Sequence, residues 1–271
     1  MDSVTFGAFQ KLAYQHAGIT IGENKRALLH ARLTKRMRKL GMTKAEHYLA
    51  YLSQDRSGTE LMGFLDAITT NFTSFFRENE HFEFLSRELK NRLQEGARMF
   101  RVWCAAASTG EEPYSLGITL AEALEGSQAD FRLLATDISM QALTEAHEGC
   151  YEAARLRPIA PHLVRKYFEP AREQEDDQML RVRDALRAKI VFKRLNLATP
   201  PFPMRGDIDF VFCRNVMIYF DDATRQRLVA AIFEMLRPGG VLFIAHSETL
   251  TRVPSDLNLV QPSVYRKGCS I

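Results

Sequence analysis

Two polar side chains, Arg214 and Asn215, cut off a run of apolar residues, Phe210-Val-Phe-Cys213, that opens at Asp209. A short buried strand that stops this way presents its polar residues at its carboxyl end, and in open α/β sheets that edge is where ligands bind. The same design occurs upstream, where Val102-Trp-Cys-Ala-Ala-Ala107 runs into Ser108-Thr-Gly110 and then two acids, Glu111 and Glu112. Small residues let a ligand approach the backbone closely, Gly110 permits a turn that other residues resist, and Pro113 suits the first turn of a helix. This is not the GxGxxG of a dinucleotide site. Carboxylates beside a helix N-terminus would repel a pyrophosphate and hold an ammonium group. About 25 residues on, Leu133-Leu-Ala-Thr-Asp137 ends a further strand with an acid, at the position where a carboxylate typically hydrogen-bonds a ribose diol. A nucleoside joined to a positively charged amino acid, held on such a sheet, specifies S-adenosylmethionine as the cofactor.

Positioning these residues requires strands and helices in alternation, and the chain supplies them from Phe100 onward. β-rich runs at Phe100–Ala106, Phe131–Thr136, Ile190–Leu195, Phe210–Cys213 and Val241–Ala245 alternate with amphipathic helices such as Glu112–Glu125 and Asp222–Leu236. That pattern predicts a parallel sheet covered on both faces. Leu257–Val260 and Ser263–Lys267 suggest a closing antiparallel pair. One segment breaks the alternation: Lys166-Tyr-Phe168 and Met179-Leu-Arg-Val-Arg183 read as two strands joined by the acidic turn Glu173-Gln-Glu-Asp-Asp177, a hairpin insert spanning about 164–188. Residues 1 to about 75 differ. Phe6, Phe9, Leu12 and Ala13, then Leu29, Leu33, Met37 and Leu40, recur at helical spacing without strand runs. Gly41 reads as a helix stop, and Thr43 with Glu46 as a capping box for the next helix.

The chain's 271 residues, 46% hydrophobic and 25% charged, suffice for one full core plus an accessory domain. Cys104, Cys150, Cys213 and Cys269 are far apart with no CxxC, which favours reduced thiols over disulfides or a metal site. No apolar run approaches the roughly 18 residues of a membrane helix, and the N-terminus lacks a signal-peptide pattern, so a cytoplasmic location without membrane insertion is expected. The net charge of +3 is too small to imply nucleic-acid binding, but eight Lys or Arg and no acid fall between Lys25 and Lys44. Within that run Arg32, Lys35, Arg36 and Lys39 share one helical face, opposite the stripe of Leu29, Leu33, Met37 and Leu40.

Four motifs together resemble one family. Thr70-Asn-Phe-Thr-Ser-Phe-Phe-Arg77, Ala105-Ala-Ala-Ser-Thr-Gly-Glu-Glu-Pro-Tyr-Ser-Leu116, Ala135-Thr-Asp-Ile138 and Phe212-Cys-Arg-Asn-Val-Met-Ile-Tyr-Phe-Asp221 look like the CheR family of chemoreceptor glutamate methyltransferases. The likeness runs nearly end to end and includes the basic helix, the Arg181-Val-Arg183 strand and Arg237-Pro-Gly-Gly240. It implies an α/β fold: a Rossmann-like class I methyltransferase sheet over 76–271, an N-terminal all-helical domain over 1–75, and a small inserted antiparallel β-subdomain where the hairpin lies. It also implies that Asn71, Thr73 and Arg77 contact the cofactor from the linker, with Glu111 near its methionine end and Asp137 on its ribose. Asn196 and Leu197, with Arg214 and Asn215, would complete the pocket. Tyr219 resembles the family's active-site tyrosine, with Arg77 as a second candidate on the catalytic side.

The implied reaction makes glutamate methyl esters and S-adenosylhomocysteine on chemoreceptors, and the basic face of Arg32, Lys35, Arg36 and Lys39 would dock their helical bundle. A free carboxylate has a pKa of about 4.3 and is already ionised at neutral pH, so no general base is required. The acidic, glycine-free turn of the insert points away from capture of a receptor C-terminal peptide by strand addition. A monomer that binds no nucleic acid is expected. Two other readings are an S-adenosylmethionine-sensing signalling adaptor and a nucleic-acid methyltransferase. The strand end Cys-Arg-Asn-Val-Met-Ile-Tyr lacks the Asn/Asp-Pro-Pro-Tyr pattern of base-methylating enzymes, and release of base-labile methyl ester separates an enzyme from an adaptor.

Overall fold

A computed structural model describes residues 1–171, 179–250 and 256–268. The acidic turn 173–177 and Cys269 lie outside the described residues. The chain opens with four helices, α1 (Ser3–Ala17), α2 (Arg26–Lys39), α3 (Ala45–Gln54) and α4 (Thr59–Ile68). Asp2 caps α1 by accepting the Thr5 N–H at 2.7 Å. The apolar stripes of these helices meet: Phe6, Phe9, Leu33, Met37, Tyr48 and Phe64 are almost wholly buried. Burial of each such large side chain contributes about 1.5–3 kcal/mol. Gly41 ends the turn after α2 with φ 69°, as expected. The capping box does not form. The N-cap of α3 is Lys44, without a side-chain bond, and buried Ala45 sets the start of the helix.

A linker leads to α5 (Glu80–Gln94) and then to the α/β unit. Its elements are β1 (Met99–Cys104), α6 (Glu111–Leu124), β2 (Asp130–Asp137), α7 (Met140–Glu148), β3 (Cys150–Glu152), α8 (Pro161–Tyr167), β4 (Phe168–Pro170), β5 (Met179–Val182), α9 (Asp184–Arg187), β6 (Ile190–Arg194), β7 (Ile208–Phe212), α10 (Asp222–Met235), β8 (Leu236–Phe243), β9 (Leu257–Gln261) and β10 (Val264–Lys267). Among the described residues seven strands form one sheet, in the order β6-β2-β1-β7-β8-β10-β9. The first five are parallel and the last two antiparallel, as the pattern predicts.

Side chains alternate across this sheet with period two. Phe100, Val102, Phe210, Phe212 and Phe243 pack towards α5 and α6, whereas Trp103, Val211, Leu242 and Ile244 pack towards α10. Cover is unequal, because no helix lies between β6 and β7. On that side the loop residue Phe202 packs against Trp103, ring centroids 5.4 Å apart, and Met99 and Val191 stay exposed.

The insert is larger than the hairpin expected from 164–188. β5 pairs with β4 and also with β3, giving a three-stranded antiparallel sheet that begins at Cys150. Three residues of alternating pattern are too few to announce β3 as a strand. The helical unit docks on the sheet through Gly18, whose φ is 67° and whose added Cβ would stand 2.5 Å from the Ala198 Cβ. Tyr14 donates to Asp221 at 2.8 Å, and the Asp221 carboxylate also caps α10. Ile19 bridges to Phe220.

Candidate active site

The carboxyl ends of β1, β2, β6 and β7 open into a cleft of about 910 Å³. The linker 69–77 and the end of α1 close it from the other side.

After β1 the chain turns at Ser108 (φ 48°) and Gly110 (φ 100°) into α6. A Cβ at Gly110 would meet the Tyr151 hydroxyl at 2.5 Å, so no other residue fits this turn. Adjacent residues on a helix point about 100° apart, so the two acids of α6 face different ways. Glu112 faces the cleft. Glu111, the acid expected there, lies outside the cleft lining, where it pairs with Arg155 and accepts from the Thr109 hydroxyl at 2.7 Å. Glu112 lies 3.1 Å from an Arg214 nitrogen and accepts from the Cys104 thiol at 3.3 Å. Burial pushes its carboxyl above the usual range, against the pull of Arg214.

Asp137 ends β2 in the cleft wall. One carboxylate oxygen accepts the Ser108 N–H at 2.8 Å and the other the Ser139 N–H at 2.9 Å. Each oxygen keeps acceptor capacity for hydroxyl donors. Burial raises this carboxyl too. Beside it the Ser108 hydroxyl is buried with no partner among the described residues. A diol acceptor, a buried anion and an orphaned hydroxyl are the groups that a nucleoside bearing an ammonium-carrying side chain can satisfy. S-adenosylmethionine fits this donor and acceptor set.

The end of β7 serves two purposes. Arg214 lines the cleft but is wholly buried, with its guanidinium 3.1 Å from Glu78 as well as from Glu112, and bonded to the Arg77 carbonyl. It ties the linker to α6 and is in the first place a brace for the site. Asn215 follows with φ 57°, a left-handed backbone. Its N–H donates to the Glu248 carboxylate at 3.1 Å and that of Met217 at 2.9 Å. Glu248 is 7% exposed and went unnoticed in the sequence. An acid just beyond a strand, at Ala245-His-Ser-Glu248, was the available signal.

From the linker, Asn71, Thr73 and Arg77 all line the cleft. Arg77 donates to the Phe72 carbonyl at 3.2 Å and stacks 5.8 Å from the exposed Phe72 ring. The Phe76 N–H, anchored on the Ser115 hydroxyl at 3.0 Å, fixes this turn to α6. Asn196 and Leu197 line the cleft beyond β6, and the Asn196 amide donates to the His16 carbonyl at 2.9 Å. Tyr219 stands at the mouth shared with a second groove of about 400 Å³ that runs along α2. Its carbonyl accepts the Thr20 N–H at 2.8 Å, Lys25 lies 5.7 Å from its ring, and its hydroxyl has no partner among the described residues.

The basic face of α2 divides. Arg36 is committed inward: it forms two bonds to buried Glu60, at 3.0 and 2.6 Å, and the Tyr48 hydroxyl donates to the same carboxylate at 2.6 Å. Arg32 reaches the Ile68 carbonyl and the Thr70 hydroxyl, so it braces the linker. Lys35 and Lys39 stay exposed. Near the cleft, ligand atoms of Glu78, His81 and His246 lie within 4.8 Å of one another. The Glu78 carboxylate is already held by Arg214 and the His246 N–H, and burial with Arg214 nearby pushes the His81 pKa down to about 3.

Comparisons with known proteins point to one family. Residues 71–266 match the family described as CheR methyltransferase, SAM binding domain, and residues 5–69 match CheR methyltransferase, all-alpha domain. The chain is 39% identical over 265 residues to a chemotaxis protein methyltransferase of Klebsiella aerogenes, covering 98% of this chain and 90% of that one. Identity to the chemotaxis protein methyltransferase of Escherichia coli is 37%, over 98% of this chain and 91% of that one. For chemotaxis protein methyltransferase 2 of Pseudomonas aeruginosa it is 37%, with 96% and 91% covered.

Proposed function

The chain belongs to the CheR methyltransferase family and is an S-adenosylmethionine-dependent methyltransferase, and we propose that its acceptors are glutamate side chains of chemoreceptors. The observation that carries this reading is the convergence of Glu112, Asp137, Asn215 and Tyr219 on one cleft, beside a groove bordered by the basic helix. The products are glutamate methyl esters and S-adenosylhomocysteine, formed for sensory adaptation on the cytoplasmic side of the membrane.

When bound, the cofactor supplies a methyl group activated by a sulfonium. In this reading Glu112 holds the ammonium of its amino-acid end, Asp137 accepts from the ribose hydroxyls, and Asn196 and Leu197 border the base. Asn71, Thr73 and Arg77 close over it from the linker. The acceptor carboxylate is an anion at neutral pH and gives up no proton, so the chain has no general base to provide. Its tasks are alignment and exclusion of water, worth on the order of 7–11 kcal/mol when the geometry is right. An anionic acceptor leaving water still needs polar partners. The Tyr219 hydroxyl and the Arg77 guanidinium supply them on the acceptor side.

Docking falls to Lys35 and Lys39, the members of the basic face that remain exposed, with Arg32 at the groove edge. They steer an acidic helical bundle towards Tyr219. The insert, whose turn is acidic and lacks glycine, takes no part in tethering a receptor C-terminal peptide. No described helix is long and apolar enough to cross a membrane. The test is incubation with labelled S-adenosylmethionine and receptor-bearing membranes, followed by alkaline treatment. Labelled methanol released from the receptor band is the expected result. Label that resists base, or that enters nucleic acid instead, overturns the proposal.

A further inference from the structure

The loop that leaves β7 carries three of the groups assigned to the site, Arg214, Asn215 and Tyr219, on only six residues, and its backbone is not one that sequence alone would hold. Asn215 is left-handed at φ 57°, Val216 follows at φ −123° and ψ −35°, and Met217–Tyr219 make a single 3₁₀ turn. Asparagine adopts a left-handed backbone more readily than most residues, so what its surroundings must determine is where the N–H groups of the loop point. Here those surroundings are one carboxylate. Glu248 Oε2 accepts the Asn215 N–H at 3.1 Å and the Ala245 N–H at 2.9 Å, and Oε1 accepts the Met217 N–H at 2.9 Å. The donors come from the ends of two adjacent strands, β7 and β8. Glu248 is buried and stands behind the loop, outside the residues that line the cleft. Successive N–H groups turned onto one anion form a nest, here filled by a side chain of the same chain.

We infer that Glu248 is a positioning residue for methyl transfer: its carboxylate locks the β7 loop in the conformation that aims Asn215 and Tyr219 into the cleft. The inference rests on the reading of that cleft as the transfer site. The lock depends on charge as well as shape. Both oxygens receive N–H donors, so an amide at this place must turn its NH2 group against at least one of them. Glu248→Gln therefore keeps the volume and loses the lock. Glu248→Asp keeps the anion but shortens its reach by one methylene.

The test combines hydrogen exchange of the purified full chain with single-turnover methylation of receptor-bearing membranes. In Glu248→Gln, amides of segments 213–219 and 244–248 should exchange at least about tenfold faster, while the ladder amides of β1 and β2 keep their protection. The methylation rate should fall at least tenfold with the melting temperature nearly unchanged, and Glu248→Asp should recover part of both losses. Unchanged exchange in the loop overturns the inference, as does faster exchange with an unchanged rate. If Glu248→Gln does not fold, Glu248→Asp decides alone: wild-type exchange and rate in that variant overturn it, and coupled partial losses support it. A wild-type chain that methylates no receptor would sink the proposed function, while the exchange data would still decide whether Glu248 holds the loop.

Discussion

Replacing Glu112 by Gln, alongside the same change at Glu111, tests which of two adjacent acids holds the cofactor. Gln preserves the volume of Glu, so the comparison isolates charge. Glu112 faces the cleft, is 8% exposed, and lies 3.1 Å from Arg214. A hydrogen bond to a charged group contributes about 1.5–3 kcal/mol. At about 1.4 kcal/mol per decade, loss of the bond to the cofactor ammonium weakens binding by roughly one to two orders of magnitude. Arg214 keeps Glu78 at 3.1 Å, so the brace between linker and sheet survives in Glu112→Gln. Glu111 points away and pairs with Arg155, whose side chain is 43% exposed. Solvent reaches only the Arg155 side, Glu111 being wholly buried, so loss of the pair lowers stability with little effect on affinity. Isothermal titration with S-adenosylhomocysteine, which keeps the ammonium and lacks the reactive methyl, measures both. A larger loss of affinity in Glu111→Gln than in Glu112→Gln, or equal losses, would refute the assignment.

Arg36→Ala removes the only guanidinium on buried Glu60 among the described residues and should cost about 2–3 kcal/mol in denaturant unfolding, reduced from the fully buried case because Arg36 is partly exposed. Lys35→Glu with Lys39→Glu should instead leave the unfolding midpoint and S-adenosylhomocysteine binding unchanged while slowing receptor methylation and flattening its salt dependence; wild-type kinetics would remove these lysines from the docking surface. Gly18→Ala forces a Cβ to within 2.5 Å of Ala198 at a left-handed φ, and a melting temperature equal to wild type would show that the helical unit does not seat there as described. Burial raises both Glu112 and Asp137, so their carboxylates protonate at a higher pH than exposed acids do. In the proposed reading protonation removes the charge that binds the cofactor, so affinity should decline as pH falls below neutral, beginning above the ordinary carboxylate range, and Glu112→Gln should flatten part of that decline. A wild-type affinity that is constant as pH falls would contradict these environments.

Strand positions and their parallel direction were legible because the apolar runs of β1, β2, β6 and β7 are separated by helices or turn residues, signals that act over a few residues. The third strand of the insert was not, because Cys150–Glu152 is short and gains its identity only by pairing with β5. The α3 capping box failed for a related reason: propensity at Thr43 is outweighed by where Ala45 packs. Helical periodicity groups the basic residues of α2 on one stripe, yet Arg36 and Arg32 have partners 24 and 36 residues away, at Glu60 and Ile68, which periodicity cannot reveal.

By itself the sequence determined the class of this protein: polar residues at the ends of successive strands, a glycine where the chain turns into a helix, and an acid closing the next strand. Tertiary structure decided which atoms do the work. Helix phase put Glu112 and not Glu111 in the cleft wall. The meeting of linker, α6 and β7 made Arg214 a brace, and the closeness of the β7 and β8 ends brought Glu248 onto a loop 31 residues before it in the chain. Local pattern follows from backbone sterics and periodicity. Roles of neighbouring charges depend on direction and burial, which exist only once the chain has closed on itself.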